Sequence, residues 1–203
     1  MDGSGSYYGD GGPAISALLN APQCVASDAA GNLFIADSGN NAIRRVDAVT
    51  GIIDTIAGGV SAHIAGGPTD TRSGLGTSGA QGEGGNALYA LFDLPRGIAV
   101  DPSGNVFVGD YNNEVVRELS PNAKGGYNIV SIIGEISSSN NDAIKPTSGA
   151  ATSSTDALTA RMSSKGVDDV ATDPNGNIYF LDSNNGKVLT GGCGAQQGLR
   201  DSG

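Results

Sequence analysis

The sequence predicts an all-β fold made of β-propeller blades, two of them complete and one partial. Three observations carry this. A single stretch recurs three times, its Gly-Asn pairs at Gly31, Gly104 and Gly176 separated by 73 and then 72 residues, and a fixed period is the mark of a repeat architecture. Each copy holds short β-branched or aromatic runs separated by tight-turn residues. Helical periodicity of the kind that builds α-solenoids is absent, and a β-sandwich would not repeat its turn residues in register.

Each copy opens with an apolar run: Cys24-Val-Ala, Gly97-Ile-Ala-Val100 and Val170-Ala. Asp28, Asp101 or Asp173 then starts a turn ending in Gly-Asn, with glycine at the position that needs positive φ. The second run (Leu33-Phe-Ile, Val106-Phe-Val, Ile178-Tyr-Phe) stops at Asp37, Asp110 and Asp182. An Asn-rich turn follows at Asn40-Asn41, Asn112-Asn113 and Asn184-Asn185, and feeds a third run at Ile43–Val46, Val115–Leu119 and Lys187–Leu189. In the first two copies a fourth run, Ile52–Ile56 and Ile129–Ile133, closes the unit. The expected organisation is an irregular lead-in with a short helical turn over 1–20, blade 1 over 21–58, a long Gly-rich loop over 59–93, blade 2 over 94–134, a Ser/Thr-rich loop over 135–166, a partial blade 3 over 167–189 and an irregular tail over 190–203. Ala14–Leu19, Ala87–Phe92 and Ala157–Met162 each suggest one helical turn against a blade rim.

The pattern Pro-x-Gly-φ-Ala-φ-Asp-x-x-Gly-Asn-φ-φ-φ-x-Asp-x-x-Asn-x-φ-Arg over Pro95–Arg117, with Thr50–Gly58 matching the segment that follows it, resembles the NHL repeat. The lead-in Gly9-Asp-Gly-Gly-Pro-Ala14 through Leu19-Asn-Ala-Pro22 is similar to long-period members of that family. The resemblance implies a propeller. It does not imply one function, because the family includes protein-binding, RNA-binding, sensor and a few enzymatic propellers.

Propellers close with roughly four to eight blades. The sequence therefore predicts either a segment of a larger propeller or a chain completed by other copies of itself. The formal net charge of −10, with only 11 Lys plus Arg, argues against a nucleic-acid partner. Arg44-Arg45 is expected to lie in a strand and pair with nearby carboxylates. No apolar stretch approaches the roughly 20 residues of a membrane span, so no membrane insertion is expected, and Met1–Ser6 lacks the features of a signal peptide. Cys24 reads as a small buried thiol, with a Cys24–Cys193 disulfide left open.

Topology puts the Asn turns and both long loops on one rim and the tight Asp-x-x-Gly-Asn turns on the other. Asp37, Asn40, Asn41, Asp110, Asn112, Asn113, Asp182, Asn184 and Asn185 are therefore the candidate residues of a ligand or partner rim. Asp37, Asp110 and Asp182 could form a carboxylate ring for Ca²⁺, which prefers oxygen ligands. The structural alternative, each Asp accepting hydrogen bonds from backbone N–H groups of its own turn, is favoured by one copy per blade. No cofactor and no catalytic residue are expected. His63 is the only histidine, so a His-based triad or a multi-histidine metal site cannot be built. Gly82-x-Gly84-Gly85 lacks the context of a phosphate loop, and no Asn-x-Ser/Thr acceptor occurs.

The function expected is a non-enzymatic binding or interaction scaffold with a protein or glycan partner, extracellular or on the cell surface. One alternative is a structural subunit that self-associates into an oligomer or filament by strand or blade complementation. A second is a fragment of a propeller enzyme whose active site lies outside the chain.

Overall fold

A computed structural model describes residues 9–58, 82–134, 166–183, 186–191 and 200–201. Asn184, Asn185, His63, Cys193 and the third predicted helical turn lie outside them. The described residues form three antiparallel sheets. Blade 1 holds β1 (Gly12–Pro13), β2 (Cys24–Ser27), β3 (Leu33–Asp37), β4 (Ala42–Val46) and β5 (Ile52–Gly58), in the order β1-β5-β4-β3-β2. Blade 2 is the meander β6 (Pro95–Val100), β7 (Val106–Asp110), β8 (Val115–Pro121) and β9 (Tyr127–Ile133). Blade 3 holds β10 (Asp169–Thr172), β11 (Ile178–Asp182), β12 (Lys187–Gly191) and β13 (Arg200–Asp201).

Two segments expected to be irregular contribute strands. Gly12–Pro13 adds a fifth, outermost strand to blade 1, because Gly11 N–H donates to the Ile53 carbonyl and Ala14 N–H to that of Gly51. Proline is tolerated there since no ladder continues outward. The tail supplies the fourth strand of blade 3, with Leu189 opposite Asp201 and Thr190 opposite Arg200. Two residues are too short to leave a period in the sequence. The expected helical turns are short 3₁₀ turns at Ala14–Ser16 and Ala87–Tyr89.

The repeated Asp-x-x-Gly-Asn turns owe their identity to one carboxylate each. Asp28, Asp101 and Asp173 accept N–H bonds from within the turn and a side-chain bond from Asn32, Asn105 and Asn177. Gly31, Gly104 and Gly176 sit at φ between 81° and 85°, where a Cβ is strained.

Alternating side chains then pack blade on blade. Phe34, Ala36 and Ile43 of blade 1 meet Ile98, Val106, Val108 and Leu119 of blade 2 in one buried cluster. The other face of blade 2, with Ala99, Phe107 and Val116, meets Val170, Ile178, Phe180 and Leu189 of blade 3. Cys24 is half-buried at the edge of the first cluster, rather than fully buried as a small core thiol would be. Innermost strands touch in series, and at Gly97 an added Cβ would lie 2.4 Å from the Asp169 Cα. Gly97→Ala is therefore expected to push blades 2 and 3 apart and cost about 1–3 kcal/mol, read as a lower urea midpoint with an unchanged m-value.

Candidate functional site

The rim carrying the Asn turns is built around the end of each second strand. Asp37 accepts the Asn20 N–H at 2.7 Å and the Asn40 side-chain amide at 2.8 Å. Asp110 accepts the Asp93 N–H at 2.8 Å and the Asn113 amide at 2.8 Å. The backbone donors thus come from the lead-in segment before the blade and not from the Asn turn itself. Each aspartate thereby fixes the approach of the chain to its blade. That approach is strained: Ala21 and Leu94 stand at φ 45° and 53°, a conformation costly for residues with a Cβ. The Leu94 N–H is met by the Asn41 side chain of the preceding blade at 2.8 Å.

Behind Asp37 and Asp110 lies a fully buried arginine on the third strand. Arg44 contacts Asp37 at 3.4 Å and Asp10 at 2.6 Å. Arg117 contacts Asp110 at 3.5 Å and Glu83 at 3.3 Å, donates to the Leu91 carbonyl at 2.7 Å and lies 5.0 Å from the Phe92 ring centroid. Asp10 and Glu83 belong to the lead-ins, each 34 residues ahead of its arginine. Glu83 also accepts from the Ser131 N–H and hydroxyl, and Asp10 from the Thr55 hydroxyl. The acid thus ties the lead-in to the fourth long strand of the blade, β5 or β9. Arg45 pairs with Asp47 at 3.2 Å, so both arginines of the Arg44-Arg45 pair face carboxylates.

Of the predicted rim residues, Asp37, Asn40, Asn41, Asp110, Asn113 and Asp182 are buried, and Asn112 is half-buried with its amide on Asp93. Around Asp37 and Asp110 the place of a cation is taken by the arginine of the same blade. Among the described residues no group of three or more His, Cys, Asp or Glu side chains is placed to hold a metal ion. The side chains that reach outward are their neighbours. Leu94 is exposed, and Arg96, half-exposed, stacks on Tyr111 at 3.4 Å from the ring centroid and pairs with Asp168 of blade 3. Sequence reasoning missed the roles of Asp10, Glu83 and Arg117. The signal lay in the matching Gly-acid-Gly-Gly lead-ins and the common 34-residue spacing.

Burial pushes the Asp110 carboxyl up to about 7, against the pull of Arg117 and the Asn113 and Asp93 hydrogen bonds, with the nearby Asp93 charge adding to the rise. Burial raises Asp37 in the same way. Hydrogen bonds from Asn177 and Thr50 hold Asp173 and Asp47 below the usual carboxylate range.

An acid whose folded pKa is raised stabilises the fold fully below its unfolded pKa and loses that contribution as pH rises through the folded value; a lowered acid loses its contribution as pH falls. The Asp110 contribution is thus complete below its ordinary 3.8 and gone above about 7. Asp110→Asn is expected to flatten the decline in stability between about pH 4 and pH 7, measured by urea unfolding across that range. Arg117→Leu, which leaves the buried Asp110 without its cation, should cost about 3–5 kcal/mol. Adding Asp110→Asn and Glu83→Gln should recover much of it, since no uncompensated charge then remains.

The comparisons with known proteins agree with this architecture. A family model for the NHL repeat matches residues 92–114. Teneurin-1 of Mus musculus is 31% identical over 111 residues, covering 54% of this chain and 4% of that protein. Protein SUPPRESSOR OF QUENCHING 1, chloroplastic, of Arabidopsis thaliana is 28% identical over 116 residues, covering 57% of this chain and 9% of that one. The chain therefore spans less than a tenth of the length of these curated relatives. Among solved structures, a putative phosphatase from Bacteroides thetaiotaomicron superimposes with a TM-score of 0.54 at 17% identity, over 87% of this chain and 35% of that one. That likeness concerns the fold. Repeat match, sheet topology and blade packing converge: the chain carries an NHL repeat and is built of NHL-type β-propeller blades.

Proposed function

We propose that the chain is a non-enzymatic interaction scaffold that holds a protein partner on the rim of the Asn turns. The observation that carries this is Leu94. It is an apolar residue, 38% exposed, kept at φ 53° by backbone bonds to Asp110 and Asn41 through Asp93 and its own N–H. Strain of roughly 1–3 kcal/mol at a non-glycine residue persists only where surroundings over-determine it, and it clusters at functional positions. Beside it, Arg96 is oriented by Tyr111 and Asp168, so a partner meets side chains already fixed in place. The low lysine content and polar loops support an extracellular or cell-surface setting; recovery of the native protein from the cell interior with reduced thiols would overturn that part.

The test separates binding from folding. Leu94→Gly suits the positive φ and should keep or raise the melting temperature, while binding to peptides selected on the unaltered protein should fall at least tenfold. Ser103→Arg, on the opposite rim, should leave binding unchanged. Selection of glycans instead of peptides, binding that maps to Ser103, or turnover of an ester or lactone by the unaltered chain would overturn the reading.

A further inference from the structure

We propose that Arg96 receives a carboxylate of the partner, as the second of two acids that its guanidinium is placed to hold. The inference rests on the reading of the Asn-turn rim as a protein-binding surface and names the chemistry that the partner brings. The chain itself shows how its arginines dock a segment. Arg44 holds Asp37 of its own blade on Nη1 and Asp10 of the lead-in on Nη2. Arg117 holds Asp110 on Nη1 and Glu83 of its lead-in on Nη2. In both, the second acid clasps a separate length of chain onto the blade. Arg96 holds Asp168 on Nη1, and among the described residues no acid meets its Nη2.

Within the Arg96–Asp168 pair, it is the base that has capacity to spare. The Asp168 carboxylate is engaged on both oxygens, by Arg96 and by the Ser183 hydroxyl. A guanidinium carries five N–H donors, and here Nη1 alone meets an acceptor among the described residues. The Arg96 side chain is 35% exposed, where those of Arg44 and Arg117 are 0%. Tyr111, its ring centroid 3.4 Å from the guanidinium carbon, backs one face of the group. That leaves Nε and Nη2 as an edge of two parallel donors, the geometry that takes a carboxylate through two bonds. Asp168 already balances the charge of Arg96, which suits a single carboxylate and not a phosphate, whose recognition draws on clusters of arginine. Nor does the repeat require the pair. At the positions equivalent to Arg96 and Tyr111, blade 1 holds Gln23 and Ser38 and blade 3 holds Asp168 and Ser183. Arg96 spans the seam of blades 2 and 3, so the strands on both sides of it are those of this chain.

The experiment selects peptides from a random library on the full chain and measures synthetic copies of them by fluorescence anisotropy. The selected sequences should share an Asp, a Glu or a free C-terminal carboxylate. Replacing the side-chain acid by its amide, or amidating the chain end, shows which of these sources supplies it. The effective replacement should weaken binding about tenfold or more. Arg96→Gln should do the same, and the two together little more than either alone. Arg96→Lys, which keeps the charge but not the two-donor edge, should bind between the two. Arg45→Gln, beside the Asp47 turn, should leave binding unchanged. Peptides that lose binding with Leu94→Gly but not with Arg96→Gln, or that bind without any acid, would sink the proposal and leave the rim reading standing. So would losses from the peptide change and Arg96→Gln that add in full, or an Arg96→Gln chain that melts lower yet binds as before. Failure to select any peptide would overturn both.

Discussion

The buried arginine on the third strand is the constraint from which blades 1 and 2 take their shape. A guanidinium is always charged and brings five donors in a rigid fork, so it cannot be buried without acceptors on several sides. Arg117 meets that demand with Asp110 from the second strand, Glu83 and the Leu91 carbonyl from the lead-in, and the face of Phe92. Three segments distant in sequence are thereby brought to one point. Asp110, held there, orders the Asp93–Leu94 approach, which sets where the first strand starts. Glu83, held there, lays the lead-in over the outer strand through Ser131. Arg44, with Asp37 and Asp10, repeats the arrangement in blade 1.

Blade 3 shows what happens without it. Leu189 stands opposite Phe180 as Arg117 stands opposite Val108, and it lies in the apolar cluster between blades 2 and 3. The acid is lost together with the base: counted back four residues from Ala157, as Asp10 is from Ala14 and Glu83 from Ala87, the sequence holds Ser153. Asp182 keeps its buried place without that arginine.

The strands were legible in the sequence because their signals are local: alternating apolar residues between turns whose Asp, Gly and Asn serve their own few residues. Asp101, Gly104 and Asn105 satisfy one another, so the pattern is complete within five positions. What escaped was nonlocal. Asp110 looks like a turn former, yet its backbone partner is Asp93, 17 residues earlier. Glu83 looks like loop filler, since nothing next to it explains a carboxylate; its reason is Arg117. The rim asparagines were legible as a recurring set but not as buried groups, because the same residue types serve a ligand or their own blade equally well. Gly12–Pro13 and Arg200–Asp201 were hidden by length, two residues being too few for any period to show.

The lead-in clasp also has a direction in time. Glu83 leaves the ribosome 34 residues before Arg117, and Ser131, its other holdfast, later still. The bonds from Ser131 to Glu83 therefore wait until the fourth strand is made. Only then is the lead-in clasped to the finished blade, closing a long loop whose entropy is repaid at the last step. The outer strand, the edge most prone to pairing with a neighbouring nascent chain, is the one the clasp covers. Synthesis of a blade and protection of its open edge thus end on the same event.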